Sequence, residues 1–372
     1  MLKIVEVTNN RGLRKFVKFV NDLYKGNEFF VPDLIMDEVN TLRKDKNPAY
    51  DFSEAVFYLA YRDNKIVGRI GVMVNHHSNK KWEQEYVRFT HFDFIDDYEV
   101  SSKLMETVIT WAKKNGYTAI HGPLGLTDMD HQGMLIEGFD ELDMFITIYN
   151  HPYYKDHMLK MGFEKEVDWL EYQLKVPEKP IEKFERISNI VKKKYGYQLI
   201  EFKRKKDILP WAPKVFELYN TSFAPLFGTT KLSKRQIKMY VDTFFGFVNK
   251  DFIKVVLNKD NELIGFAITI PSLSKAMQKA GGKIFPFGFI HILRSLKKSD
   301  RLDLYLIAIH PDYQGTGANA LLMNSIMETA MKYGMEFGET GPELETNHQV
   351  QTMWKLVEKR QHRRRRIFKK VF

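Results

Sequence analysis

The residues best suited to chemistry lie between positions 304 and 333. An apolar run, Leu304–Ile309, has the composition of a buried strand and is interrupted at Pro311. The Gln-Gly-Thr-Gly run at 314–317 then leads into a stretch with helical periodicity. Glycine lets the backbone approach a ligand closely, and a helix start offers free N–H groups and the positive end of the helix dipole. The segment therefore predicts a binding site for an anionic group such as a phosphate.

This strand–turn–helix segment resembles the acyl-CoA-binding motif of the GNAT acyltransferase superfamily, in which Arg/Gln-x-x-Gly-x-Gly/Ala follows a strand. Gln314 and Gly317 match the pattern, His310–Tyr313 is typical of such proteins, and Asn319 departs from the last small position. The resemblance implies an α/β fold with a mixed sheet, and acetyl-CoA or a longer acyl-CoA as co-substrate. The residues that it implies contact the cofactor are Ile307, Ala308, Ile309, Gln314, Gly315, Thr316, Gly317, Ala318, Asn319 and Asn347.

Two carboxylates further along the chain are candidates for the general base that deprotonates an attacking amine. Glu339 lies in the strand predicted after the second helix, and Glu345 lies just before a helix predicted over Asn347–Glu358. A carboxylate in a partly dry cleft has a raised pKa and accepts protons near neutral pH. The alternative is that Asn347 only caps its helix and Glu345 lies in solvent. That helix contains no Tyr, so the acid that the family places there to protonate the leaving thiolate is unassigned.

The histidines give weaker signals. His310 at the strand end is either a turn residue or a catalytic one, and the turn is favoured. His121 and His131 flank the loop Gly122–Asp130 and are candidates for lining a cleft between domains. No His, Asp and Glu cluster has metal-ligand spacing, so no metal is predicted.

The elements that must position these residues occur twice along the chain. Asp63-Asn64 and Asp260-Asn261 each predict a hairpin turn before a strand that enters at a glycine. Helical patterns over 101–115 and 318–333 each end at a glycine and precede a short strand that runs into Gly-Pro. We therefore predict two tandem GNAT-like domains, 1–176 and 177–372, joined around Val176–Pro180.

The two halves differ where the phosphate loop should lie. The first half carries Asp96-Asp97-Tyr98-Glu99 at the position of the glycine-rich turn. Acidic side chains repel a pyrophosphate, although they cap a helix start well. The first domain is thus predicted to keep the fold without the cofactor, as a structural or acceptor-side partner.

Composition narrows the class of protein. The 372 residues are 44% hydrophobic and 28% charged, which is ordinary for a soluble protein, and the absence of Cys excludes disulfides, thiolate metal sites and Cys nucleophiles. Met1–Val7 alternates like a first strand and lacks a secretory apolar region. No stretch reaches the roughly 20 apolar residues that span a bilayer. The predicted location is cytoplasmic.

The net charge is +10, and an aromatic-rich insertion in the second half, within 271–298, contains several cationic residues and no acidic one. Ile284–Leu293 is strongly apolar and is followed by Arg294, Lys297 and Lys298. This composition is typical of a segment that lies in a membrane interface or forms a lid over a long acyl chain, so 284–298 is a candidate for peripheral membrane contact. The alternative is a helical insertion packed on the neighbouring domain.

The predicted function is acyl-CoA-dependent N-acyl transfer to a small or lipid-like amine by direct attack, since no covalent enzyme intermediate is needed. One alternative is a non-catalytic acyl-CoA-binding scaffold, which the departure at Asn319 motivates. Another is a tRNA-dependent aminoacyl transferase, since these also resemble tandem GNAT domains and Arg363–Arg366 offers positive charge. Nucleic acid is the less favoured partner, because such transferases generally lack the glycine-rich CoA loop that this chain has. The four arginines otherwise alternate like a final strand.

Overall fold

The computed structural model describes all residues, 1–372, as a mixed α/β protein. Its strands are β1 (Leu2–Glu6), β2 (Ser53–Arg62), β3 (Lys65–Asn75), β4 (Tyr86–Phe94), β5 (Ala119–Gly122), β6 (Met134–Glu137), β7 (Glu164–Lys175), β8 (Gln198–Ile200), β9 (Ile253–Leu257), β10 (Leu263–Pro271), β11 (Arg301–Ile309), β12 (Phe337–Thr340), β13 (Glu343–Leu344) and β14 (Lys359–Val371). Its helices are α1 (Asn10–Leu23), α2 (Ile35–Thr41), α3 (His76–Lys81), α4 (Tyr98–Lys114), α5 (Tyr153–Lys160), α6 (Glu182–Tyr195), α7 (Ala212–Ser222), α8 (Lys234–Phe244), α9 (Ser274–Ala280), α10 (Gly288–Lys298), α11 (Ala318–Lys332) and α12 (His348–Met353).

The chain divides into two compact units that do not follow a single cut. The first unit comprises Met1–Leu170, Ser274–His291 and Arg363–Phe372, and the second comprises Glu171–Leu273 and Ile292–His362. The domain division at 1–176 and 177–372 stays a prediction from the repeats in the sequence. The compact units additionally assign two segments of the second half to the first unit.

The first unit is built on the strand order β1-β2-β3-β4-β5, followed by the C-terminal part of β14. All neighbours are antiparallel except β4 and β5, which are parallel. Helix α4 packs against β3 so closely that a Cβ on Gly68 would lie 2.7 Å from Leu104 Cδ1. Val100, Leu104 and Val108 on α4 are fully buried, as their helical spacing requires.

The second unit repeats this plan with the order β8-β9-β10-β11-β12, followed by the C-terminal part of β7. Here β11 and β12 are the parallel pair. Helix α11 packs against α6, β9 and β10 and is buried on most of its faces, including Leu321, Leu322 and Ile326. Its mostly apolar sequence suits a helix covered on several sides rather than a surface helix.

Several local predictions are confirmed. Asp63 and Asn64 both have left-handed φ angles, 49° and 64°, as a two-residue hairpin turn requires, and Asn261 has a φ of 61°. Helices α4 and α11 lie where the periodicity placed them, and β14 contains Arg363–Arg366 as predicted.

The helix predicted over Asn347–Glu358 is shorter than expected. α12 ends at Met353, and a 3₁₀ turn over Trp354–Leu356 leads into β14. The side chain of Trp354 is buried and its indole N–H donates to Glu343 Oε1 at 2.7 Å. A helical continuation would lose the strand pairing of β14, so tertiary contacts override the local helical preference.

The insertion of the second half has two different parts. α9 packs within the first unit, where the Gln278 side-chain amide donates to the carbonyls of Glu28 and Phe30 at 2.8 and 3.0 Å. The following segment instead exposes large apolar side chains, including Phe285 at 77% and Phe287 at 68%. The expectation of a packed helical insertion therefore fits α9 and one side of α10, where Ile292 is buried and Ser295 Oγ donates to the Ser272 carbonyl at 2.7 Å. None of the helices in the structure is both long enough and apolar enough to cross a bilayer.

Candidate active site

The turn before α11 has the geometry expected of a phosphate loop. Gly315 and Gly317 have left-handed φ angles of 75° and 93°, which only glycine adopts without strain. Gly317 is the N-cap of α11 and lies close to α6, since an added Cβ would be 2.8 Å from Val191 Cγ1. The N–H groups of Ala318 and Asn319 at the start of α11 have no acceptor within the helix, whereas the Ala320 N–H donates to the Gly317 carbonyl at 3.0 Å. These donors at the positive end of a 15-residue helix suit a pyrophosphate.

The loop itself is pinned by local hydrogen bonds. Thr316 Oγ1 donates to the Tyr313 carbonyl at 2.7 Å, and Gln314 Nε2 lies 3.4 Å from the Ile309 carbonyl. Gln314 is otherwise exposed. The motif residues are thus presented on a fixed turn whose outer surface is open to a ligand.

The two parallel strands of the second unit separate next to this loop. β11 and β12 pair only from Arg301 to Leu304, and the Gly341 N–H donates to the Leu304 carbonyl at 3.0 Å. Beyond that point Ile307–Ile309 pair with β10 alone, so the opposite edge of β11 carries no strand. The backbone groups of this edge are available to a substrate carbonyl. The structure therefore brings the predicted Ile307–Ile309 and Gln314–Asn319 into consecutive positions on one strand, turn and helix.

A bulge marks the point of separation. Ile268 and Thr269 on β10 face Leu306 and Leu304, which leaves Tyr305 as the extra residue of β11. The Tyr305 hydroxyl is buried and has no hydrogen-bond partner. Burial raises its pKa well above the ordinary value, so the group remains a proton donor.

The two predicted base candidates have different surroundings. Glu339 is buried, and its carboxylate forms an ion pair with Arg301 at 2.5 Å. Glu345 lies in a partly exposed turn, with its backbone carbonyl accepting from Gln351 at 3.1 Å. Asn347 caps α12 by accepting from the Val350 N–H at 3.4 Å. Their catalytic and cofactor roles stay predictions.

A third carboxylate, Glu343, was missed by the sequence reasoning. It lies two residues beyond Gly341, where β12 leaves β11. Its Oε1 accepts the Trp354 indole N–H, while its Oε2 is buried without a partner. Burial raises the pKa of Glu343 to about 7, against the opposing effects of Trp354 and the Lys359 charge. Such a carboxylate accepts a proton readily near neutral pH.

No sequence signal separated Glu343 from Glu339 and Glu345. The three carboxylates lie within seven positions, and only the fold shows that one is paired with Arg301, one is partly exposed and one is buried beside an indole.

The predicted histidines have separate environments. His310 Nδ1 accepts from the Asp312 N–H at 3.3 Å, which fits the turn interpretation. His121 is buried with Nδ1 2.8 Å from Glu166, and burial lowers its pKa. His131 Nδ1 lies 3.6 Å from Asp33. Both His121 and His131 belong to the first unit, and no group of three or more potential ligands in the structure is arranged to hold a metal ion.

The start of α4 occupies the position in the first unit that the phosphate loop has in the second. Asp97 caps α4, with Oδ1 accepting the Glu99 and Val100 N–H groups at 2.9 and 3.4 Å. Arg62 forms ion pairs with Asp97 at 2.5 Å and Glu99 at 2.6 Å. The chain's own carboxylate therefore occupies the donors that would otherwise bind phosphate.

Comparisons with known proteins agree with this geometry. Residues 213–356 match the model of the acetyltransferase (GNAT) family. The chain is similar to protein YghO of Escherichia coli strain K12, at 24% identity over 97% of this chain and 93% of the relative. It is also similar to the bacterial ceramide synthase of Caulobacter vibrioides, at 22% identity over 91% of this chain and 88% of the relative.

Two solved structures share the fold over the whole chain. One is a tandem GNAT protein from the clavulanic acid biosynthesis pathway, with a TM-score of 0.57, 12% identity and coverage of 100% of this chain and 98% of that one. The other is a GCN5-related N-acetyltransferase from Sphaerobacter thermophilus, with a TM-score of 0.51, 10% identity and coverage of 100% and 95%. The predicted mixed α/β fold is confirmed. The second half matches the acetyltransferase (GNAT) family model over residues 213–356, and the whole chain shares the fold of a solved tandem GNAT protein.

Proposed function

We propose that the protein transfers a long-chain acyl group from CoA to a lipid-like amine in the second unit. The observation that carries this proposal is the open edge of β11 at Ile307–Ile309, directly followed by the glycine turn of α11. This arrangement offers backbone donors for the thioester arm and for the pyrophosphate on one continuous segment. Asn347, which caps α12, is the further candidate for contacting the pantetheine arm.

We assign the general base to Glu343, with Glu339 and Glu345 as the alternatives. The amine nitrogen attacks the thioester carbonyl carbon, the C–S bond breaks, and the amine proton passes to the base. Arg301 compensates the charge of Glu339, and Glu345 is more exposed. Glu343 combines burial, an unpartnered oxygen and a pKa of about 7. Its carboxylate is therefore the best suited to remain ionised in part and still accept a proton.

We assign protonation of the leaving thiolate to Tyr305, the role for which the predicted helix offered no Tyr. The residue lies at the bulge where β11 leaves β12, and its hydroxyl has no competing partner. Its raised pKa keeps the hydroxyl protonated until the thiolate develops. The proton lost from the phenol is recovered from solvent after product release.

The lipid-like substrate is inferred from the exposed part of the insertion. Phe285, Phe287 and Leu293 expose 77%, 68% and 54% of their surface, and α10 ends with Lys297 and Lys298. Large apolar side chains beside lysines suit the interface of an anionic membrane. We therefore propose peripheral contact of 284–298 with the cytoplasmic leaflet.

One relative supports the same substrate class. A ceramide is the amide of a long-chain amino alcohol and a fatty acid, and the Caulobacter relative is named a ceramide synthase. A long-chain amine acceptor is consistent with both the exposed apolar segment and this similarity.

A thermal-shift panel of acetyl-, medium-chain and palmitoyl-CoA tests the donor site. A ligand at 100 times its Kd stabilises the native state by about 2.7 kcal/mol, so the preferred chain length gives the largest rise in Tm. Gly317→Glu and Thr316→Glu place a carboxylate in the loop and abolish the rise, whereas Gly246→Glu, at an exposed glycine with no neighbour within 4 Å, preserves it. Thr316→Glu avoids the close contact with Val191. No shift with any acyl-CoA would contradict the proposal, and binding without turnover of any long-chain amine would favour a scaffold.

A further inference from the structure

The first unit contains a cavity that the proposed acyl transfer does not use. β4 and β5 pair only as far as Arg88 and His121, and the Leu124 N–H then donates to the Phe89 carbonyl at 2.9 Å. The cavity lies beyond this point and has a volume of about 50 Å³. We call it the first-unit cavity. Its polar lining includes Asp33, Thr90, His91 and His131.

A bulge in β4 places His91 at the point where β4 and β5 separate. In the pairing of β3 with β4, Arg69 lies opposite Asp93 and Gly71 lies opposite Thr90. Ile70 is therefore opposite two residues of β4, His91 and Phe92. This bulge in β4 corresponds to the bulge of Tyr305 in β11. A bulge redirects a side chain from the regular alternation of a strand. The first unit thus retains the divided strands of the second unit, with an imidazole at the division.

Two imidazoles in the cavity face carboxylates. His91 Nε2 lies 2.6 Å from Glu38 Oε1, and His131 Nδ1 lies 3.6 Å from Asp33 Oδ1. His91 Nδ1 lies 3.0 Å from Thr90 Oγ1, so both of its nitrogens are engaged. Asp33 and His131 both line the cavity, and each keeps 30% of its side-chain surface accessible.

The charges of the cavity are unequal. Arg69 and Asp93 compensate each other at 2.7 Å. Burial opposes ionisation of Glu38, but the His91 hydrogen bond lowers the pKa of Glu38 to about 2. Burial raises the pKa values of Asp33 and Asp130 to about 6, so both are largely ionised above neutral pH. Burial opposes protonation of His131, but the Asp33 and Glu38 charges raise its pKa. Even with both imidazoles protonated, the four carboxylates outnumber the three cations, so an anionic cofactor is disfavoured.

Aromatic rings complete the lining. Phe30 and Tyr149, with ring centroids 6.5 Å apart, both face the cavity, together with Phe92. A carboxylate in a cavity lined by aromatic rings is suited to an organic ammonium group, through ion pairing and cation–π attraction. The volume accommodates such a head group without the rest of a large molecule.

We propose that the first-unit cavity binds the primary ammonium group of an organic ligand, with Asp33 as its ion-pair partner and Glu38 holding His91 beside it. The proposal concerns binding alone and does not depend on acyl transfer in the second unit. It gives the unit without a phosphate loop a ligand of opposite charge to CoA.

The test is isothermal calorimetry on the full chain with octylamine and octanol as probes. The two share their alkyl chain, and only octylamine carries a positive charge, so nonspecific contact with the exposed Phe285 segment is common to both. We expect octylamine to bind at least about tenfold more tightly than octanol, and the difference to depend on Asp33. Equal affinities would overturn the proposal without requiring any variant.

Variants locate the binding site. Asp33→Asn and Glu38→Gln are expected to weaken octylamine binding by about tenfold or more, whereas Asp22→Asn, on the exposed face of α1, leaves it unchanged. Gly317→Glu removes acyl-CoA binding yet keeps octylamine binding. Loss of octylamine binding in Gly317→Glu, or full binding in a folded Asp33→Asn, would place the amine elsewhere and refute the assignment.

Discussion

The starts of α4 and α11 occupy equivalent positions in the two units but differ in the residues that form them. Both helices follow a strand that leaves its parallel neighbour, and both strands carry a bulge before the helix. α11 begins at Gly317 in a left-handed conformation, and its first N–H groups are available. α4 begins after Asp97, whose carboxylate accepts those N–H groups and pairs with Arg62. The comparison teaches that the fold provides the position, while a few residues decide whether it holds a phosphate or is filled by a side chain.

The two units also differ in the ionisable groups that follow the separation of their parallel strands. The second unit has Glu343 in a buried position two residues beyond Gly341, where β12 leaves β11, with a pKa of about 7. The first unit has an imidazole–carboxylate group at the matching place, with His91 on Glu38 at 2.6 Å.

The largest effect is expected at the proposed base. Glu343→Gln keeps the Trp354 hydrogen bond but removes the proton acceptor, so kcat falls by about 10²- to 10⁴-fold. Wild-type kcat rises with pH through about 7, because Glu343 acts when deprotonated. Steady-state kinetics over pH 5 to 9 measure both effects. A larger loss in Glu339→Gln or Glu345→Gln would return the role to that residue.

The same substitution is expected to stabilise the fold at high pH. The pKa of Glu343 is raised in the folded chain from 4.5 to about 7, so the stability associated with its protonated form is lost as pH rises through that window. The free energy of unfolding falls by roughly 3 kcal/mol across this pH range. Denaturant titrations should therefore show Glu343→Gln gaining stability over wild type at pH 8 and little at pH 4. An equal difference at both values would exclude the raised pKa.

The two helix starts are expected to respond differently to alanine. Asp97→Ala removes a cap and costs about 1 kcal/mol of stability without changing acyl-CoA binding. Gly317→Ala forces a residue with a Cβ to a φ of 93° and towards Val191, which costs about 1–2 kcal/mol and weakens acyl-CoA binding. Unfolding and CoA titrations of both variants make the comparison. Weaker CoA binding in Asp97→Ala would end the assignment of the cofactor to the second unit alone.

The smallest change in stability is expected at the exposed insertion. Phe285→Ser and Phe287→Ser alter stability by no more than about 0.5 kcal/mol, since both side chains are largely in solvent. Their sedimentation with anionic vesicles should fall several-fold. Leu159→Ser, at a leucine that is 48% exposed on α5, serves as the matched control. Unchanged sedimentation of the Phe variants would argue against membrane contact through 284–298.

The sequence predicted the features that depend on local residues. The hairpins at Asp63-Asn64 and Asn261, the extents of α4 and α11 and the strand through Arg363–Arg366 are as expected. Turn chemistry and helical periodicity are local, so a single sequence carries them. The contrast between the glycine turn and Asp96–Glu99 was also predictable, because it depends on residues that are adjacent in the sequence.

What the sequence did not predict depends on tertiary contacts. Trp354 ends α12 early because its buried indole bonds Glu343, and the pKa of Glu343 follows from that burial. The cavity around Asp33 and His91 joins residues that are distant along the chain. No local pattern identifies such partners.

The exchange of segments between the repeats has a consequence for synthesis. In the first unit, Phe368–Val371 pair with β5 and Arg364–Arg366 pair with β6. Arg365 is fully buried against Asp143 at 2.7 Å. A chain stopped after His362 would leave the Asp143 carboxylate in the interior without its cation. A ribosome therefore makes nearly everything in the first unit early and its closing strand last. We infer that the nascent first unit matures only after the second has been translated, so separate expression of the two halves is a poor way to study either.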